Sequence, residues 1–199
     1  MKILNLYSGI GGNRKLWDKH HEVTAVEVDE NIAAVYKDLF PNDNVVIGDA
    51  HQYLMDHYKE FDFIWTSPPC QTHSSFRQNI GVRFRGVQAV YPDMNLYQEI
   101  IFLQHNFNGK YVVENVRPYY SPLIQPNVEL DRHLFWTNID IPVAEFDRPK
   151  LRSAQIPQLQ EFLGYELSGY KLPNKRQVLR NCVQPLVGKY ILDCAAVTA

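Results

Sequence analysis

Between residues 2 and 116 short apolar runs alternate with amphipathic stretches, and most of the runs end at a glycine, a proline or an acid. The apolar runs are residues 2–7, 23–28, 45–47, 61–66 and 111–113. They have the length of buried strands and are short for buried helices. The stretches between them read as helices over residues 14–20, 30–40, 50–58 and 95–107. In the last of these Leu96, Ile100, Leu103 and Phe107 fall on one face. Strands that alternate with helices predict an α/β fold, a mostly parallel mixed sheet with helices on both faces. A further strand is expected around residues 134–136.

The rest of the chain is less regular. Residues 71–92 show no convincing element, a length that marks a functional loop in a compact domain. Residues 139–173 are rich in proline and polar residues, with one short helix expected near 158–163. Apolar residues return over 176–196 and are expected to pack back on the sheet. The division that follows is residues 1–138 as a catalytic and cofactor-binding domain, 139–175 as an accessory region and 176–199 as a closing segment.

Charge is unevenly spread. Residues 1–76 hold 6 basic and 11 acidic residues, whereas 132–199 hold 9 and 6. A polyanion would be met by the second part and by the loop bearing Arg77, Arg83 and Arg85, not by the first part. Three cysteines cannot all pair, and the chain enters a strand at once. The expectation is a cytoplasmic protein with free thiols, no leader and no membrane span. The oligomeric state is left open, a monomer included.

Five strand ends carry chemistry. After the first strand, Tyr7-Ser8-Gly9-Ile10-Gly11-Gly12 lets backbone approach a ligand. A pyrophosphate fingerprint would need glycine at position 14, where Arg14 stands. Glu27 and Asp49 end the next two strands, placed for ribose hydroxyls and an adenine amino group. An adenosine ligand without pyrophosphate fits, and S-adenosylmethionine is one. The fourth strand ends in Ser67-Pro68-Pro69-Cys70-Gln71, where the prolines must stop the ladder and aim the thiol. A thiolate so placed is a nucleophile for carbon. The fifth ends in Glu114-Asn115-Val116, a carboxyl able to hold a proton if buried. Arg132 enters the following strand.

The chain resembles the DNA cytosine-C5 methyltransferases over nearly its whole length. The F-x-G-x-G-G motif is similar to residues 7–12, with Tyr7 for phenylalanine. The P-C-Q motif is Pro69-Cys70-Gln71, and E-N-V is Glu114-Asn115-Val116. The Q-x-R-x-R motif is reduced to Asp131-Arg132-His133. The closing motifs resemble residues 176–185, with Arg180 where the family has glycine before Asn181. The resemblance implies a Rossmann-like S-adenosylmethionine-dependent methyltransferase fold and methyl transfer to C5 of cytosine in double-stranded DNA, with base flipping. It implies catalysis by Cys70, Glu114 and Arg132. It implies a cofactor site of Tyr7, Gly9, Gly11, Gly12, Glu27, Val28, Asp49, Ala50, Pro69, Leu96, Asn181 and Val183. It implies nucleic-acid contacts from Gln71, Ser74, Arg77, Arg83, Arg85, Lys150 and Arg152, and no metal. The family's target-recognition region is reduced here to residues 139–175, which predicts a short or relaxed target site. An RNA cytosine methyltransferase and a DNA-binding subunit that needs a partner are the rival expectations.

Overall fold

The computed structural model describes residues 1–147 and 153–197; Lys150 and Arg152 lie outside the described residues. Five parallel strands form the body of one sheet: β1 (Lys2–Leu6), β2 (Glu22–Glu27), β3 (Asn44–Ile47), β4 (Phe63–Thr66) and β5 (Lys110–Val116). Two antiparallel strands, β6 (Val128–Leu130) and β7 (His133–Thr137), extend it, and the spatial order is β3-β2-β1-β4-β5-β7-β6. Register places Leu6 beside Thr66 and beside Val26, and Thr66 beside Val113. The carboxyl ends of β1, β2, β4 and β5 therefore form one rim, where ligands of open α/β sheets bind.

Helices cover both faces. The helices α1 (Glu30–Leu39), α2 (Ala50–His57) and α4 (Asn95–Asn106) lie in the crossovers, and α3 (Arg83–Arg85) is a single turn in the loop after Cys70. On one face Leu54, Leu96, Ile100 and Leu103 pack on Leu4, Leu6, Ile64 and Val113. On the other, Val187, Ile191 and Leu192 of α7 (Pro185–Val197) pack on Ile3, Phe63, Trp65 and Phe135. Each such side chain removed from water contributes about 1.5–3 kcal/mol. Within the closing segment α7 thus lies on the sheet, whereas Leu179 packs with Ile10, Val35 and Leu159. A third cluster joins Val35 of α1 and Ile10 to α5 (Ile156–Leu163), Tyr165, Leu167 and α6 (Lys175–Asn181). No helix among the described residues is long and apolar enough to cross a membrane.

Two expectations need correction. Residues 14–20 form successive turns, not a helix. Arg14 is the reason: its guanidinium turns inward and makes two hydrogen bonds with Asp43, at 2.8 and 3.0 Å, and one with the Trp17 carbonyl at 3.0 Å. The Tyr36 hydroxyl donates to the same Asp43 at 2.9 Å. The residue that breaks the pyrophosphate fingerprint therefore ties the glycine turn to α1 and the approach to β3. Secondly, residues 71–92 are not wholly irregular: Arg77–Val82 forms wide π-type turns that lead into α3.

Candidate active site

A cleft at the strand ends is lined by Tyr7, Glu27, Val28, Gly48, Asp49, Ala50, Pro69 and Asn95. The residues expected at the ends of β1, β2 and β3 do converge. Glu27 is buried and its two oxygens accept from the backbone N–H groups of Gly9 (2.9 Å) and Asp29 (3.0 Å). Asp49 caps α2 by accepting from the Gln52 N–H. Val28 is 71% exposed, an apolar surface left open at the cleft. A Cβ at Gly9 would meet nothing within 4 Å, so the turn leaves free space there. The Ser8 hydroxyl is buried, with no hydrogen-bond partner among the described residues. An open apolar wall and strand-end carboxylates at this cleft fit the adenosyl half of S-adenosylmethionine.

The other expected cofactor residues do not line this cleft. Leu96 is 2% exposed and belongs to the core, so Asn95, one residue earlier on α4, takes its place at the cleft. Gly11 faces Tyr36 of α1 and Phe40, the residue that follows it. A Cβ on Gly12 would come within 2.6 Å of the Val183 carbonyl and 2.7 Å of Cys182 Cβ. Gly12 is a packing glycine, and Val183 supports the turn from the core. Asn181 is exposed at the end of α6.

Cys70 and Glu114 stand at the ends of adjacent strands and sense each other electrostatically. Burial pushes the half-buried Cys70 thiol up to about 11, with the Glu114 charge adding to it and the Arg132 charge opposing it. Burial pushes the Glu114 carboxyl up to about 7, opposed by a hydrogen bond from Ser67 and by Arg132. His133 Nε2 lies 3.5 Å from the same carboxyl. Arg132 bonds to the carbonyls of Arg180 and Cys182, the latter at 3.2 Å. It acts on Cys70 and Glu114 through its charge rather than by a hydrogen bond to Glu114.

The loop after Cys70 begins as a turn in which the Cys70 carbonyl accepts from the N–H groups of His73 and Ser74. Ser74 then bridges to Pro118, beyond β5. Gln71, Arg83 and Arg85 are exposed, and Arg77 donates to the Gln88 carbonyl at 3.2 Å. The Arg180 guanidinium lies 5.8 Å from the ring centre of Phe76, so α6 touches this loop.

Three positions were not singled out by sequence. Asn115 donates to the Pro68 carbonyl at 2.9 Å and so ties the Pro-Pro-Cys turn to β5. Its place inside the E-N-V motif was the available signal. Glu99 is 0% exposed and meets Tyr7, His51 and Thr66. An acid on the apolar stripe of α4 was its signal. His73 is buried, with Nδ1 2.6 Å from the Tyr120 hydroxyl, and nothing in the local pattern marks it.

This fold, with a donor cleft at one strand end and a thiol at the next, defines a Rossmann-like methyltransferase. The chain belongs to the family described as C-5 cytosine-specific DNA methylase, whose model matches residues 1–121. It is 38% identical over 76 residues to a tRNA (cytosine(38)-C(5))-methyltransferase of Spodoptera frugiperda, a match covering 35% of this chain and 23% of that protein. The chain thus spans less than a quarter of that relative's length. Among solved structures it is similar to the methyltransferase EhMeth of Entamoeba histolytica, at 12% identity and a TM-score of 0.51, over 98% of this chain and 97% of that one. It is also similar to a Spodoptera frugiperda DNMT2 mutant at 23% identity, with a TM-score of 0.47, over 74% of this chain and 53% of the other. The family's methyl donor is S-adenosylmethionine.

Proposed function

We propose that the protein transfers a methyl group from S-adenosylmethionine to C5 of cytosine in duplex DNA. The observation that carries this reading is the pairing of Cys70 with Glu114 across β4 and β5, next to the cleft that Pro69 shares. When bound, the cofactor supplies an electrophilic methyl group. Glu114, poised near neutrality, holds a proton that it can donate to N3 of the base, which makes C6 electrophilic. The Cys70 thiol passes its proton to solvent water as the base enters, and its sulfur bonds to C6. The electron density released to C5 takes the methyl group. Solvent water takes the C5 proton, the electron pair of that bond expels the Cys70 thiolate from C6, and the N3 proton returns to Glu114. Arg132 favours the thiolate by its charge.

A base inside a duplex cannot reach this thiol and must be flipped out, at a few kcal/mol. The loop bearing Gln71, Ser74, Arg77, Arg83 and Arg85 is proposed to close on it, with Arg132, Arg176 and Arg180 adding positive charge on the α6 side. Lys150 and Arg152 are proposed phosphate contacts. Residues 139–175 are proposed as a reduced recognition region that leaves affinity to phosphates and makes it steeply salt-dependent. A second reading, methylation of tRNA, is favoured by the match to the Spodoptera tRNA enzyme. Transfer of labelled methyl from S-adenosylmethionine to duplex DNA and to tRNA, with Cys70→Ala as control, separates the two. Label in DNA only supports the first reading, label in tRNA only supports the second, and label in neither refutes both.

A further inference from the structure

Glu99 lies on α4 with no solvent-exposed surface, and donors from three other elements meet it. The Tyr7 hydroxyl, just past β1, donates to one carboxylate oxygen at 2.7 Å. His51 Nδ1, in the first turn of α2, is 3.0 Å from the same oxygen. The hydroxyl of Thr66, the last residue of β4, donates to the other oxygen at 2.5 Å. A buried carboxylate is expensive unless paired and hydrogen-bonded, so this site is built around its charge.

Its neighbours connect two sites. Tyr7 lines the cofactor cleft, and His51 follows Asp49 and Ala50, which line it too. Thr66 leads directly into Ser67-Pro68-Pro69-Cys70. Tyr7 also holds a φ of +54°, a strained region for a bulky L-residue that persists only where its surroundings impose it. The bond to Glu99 is such a restraint. The phenylalanine of the family motif has no hydroxyl with which to make it.

We infer that Glu99 is a positioning residue that clamps Tyr7 at the cofactor cleft to the strand end that presents Cys70, with His51 as its balancing cation. This rests on the cofactor reading above. The charged groups facing His51 are Glu99, Asp49 and Asp93. Its hydrogen bond to Glu99 and the charges of all three acids raise its pKa, against the opposing effect of burial. The imidazolium therefore persists above its ordinary range, and its support of the cluster is lost as pH rises through the folded-state value.

The test measures S-adenosylhomocysteine binding by calorimetry for the parent, Glu99→Gln, Tyr7→Phe and the double variant, with His51 titrated by NMR. Each single variant should weaken binding about 10-fold, the loss of one charged hydrogen bond. The double variant should be no worse than either single one, because both break the same clamp. The His51 pKa should fall in Glu99→Gln and stay raised in Tyr7→Phe, which a general packing defect would not produce. Parental affinity in Tyr7→Phe, or an unmoved His51 titration in Glu99→Gln, would overturn the inference. If the parent itself fails to bind S-adenosylhomocysteine, the cofactor reading falls and the clamp falls with it as a cofactor device.

Discussion

Replacing Glu114 with glutamine should make the protein more stable at pH 8 while abolishing methyl transfer. The carboxyl titrates near 7 in the fold against an ordinary 4.5, a difference of 2.5. At about 1.36 kcal/mol per pH unit that amounts to roughly 3 kcal/mol. The group is 6% exposed, so water screens little of it. The sign follows from proton counting. Between about pH 4.5 and 7 the unfolded chain has released the proton and the folded chain still binds it, so stability falls as pH rises and levels off above 7. Glutamine has the same shape, can still accept from Ser67 and never ionises. It should match the parent at pH 4.5 and exceed it by roughly 3 kcal/mol at pH 8, which moves a urea midpoint by on the order of 1 M. Urea unfolding of both proteins at half-unit pH steps is the assay. Parallel profiles would refute the buried, proton-holding Glu114 and the donor role built on it.

Other substitutions probe the supports of the site. Asn115→Ala leaves the Pro68 carbonyl without its donor and should cost about 1–3 kcal/mol by thermal unfolding, with a larger fall in kcat than in cofactor affinity. Gly12→Ala places a Cβ 2.6 Å from the Val183 carbonyl and should destabilise by about 1–3 kcal/mol, read as a lowered Tm. Asp43→Ala strands the buried Arg14 guanidinium and should cost about 3–5 kcal/mol by urea unfolding.

The strand ends were legible because the chain punctuates them. Prolines 68 and 69 cannot extend a ladder, and glycines or acids close the neighbouring strands, so Tyr7, Glu27, Asp49, Cys70 and Glu114 read as strand-end residues, which the parallel sheet brings to one rim. What escaped depends on partners distant in sequence. Arg14 reads as a failed glycine position until Asp43, 29 residues on, turns it inward. Periodicity puts Leu96 on the apolar face and only the resemblance puts it at the cofactor; Asn95, one step or about 100° of rotation away, is the residue that lines the cleft. Glu99 follows Leu96 by three and precedes Ile100, so the apolar stripe already contained a buried acid. Only the fold supplies Tyr7, His51 and Thr66 around it. Strand β6, three residues long, is too short for alternation to reveal.

The most direct test of the central claim traps the bond to Cys70. Duplex DNA carrying 5-fluorocytosine, incubated with the protein and S-adenosylmethionine, cannot release fluorine as it would a proton, so the covalent adduct should accumulate. Peptide mapping should place it on Cys70, and Cys70→Ser should abolish it. An adduct that persists in Cys70→Ser, or methyl transfer to DNA undiminished by that substitution, would contradict Cys70 as the nucleophile.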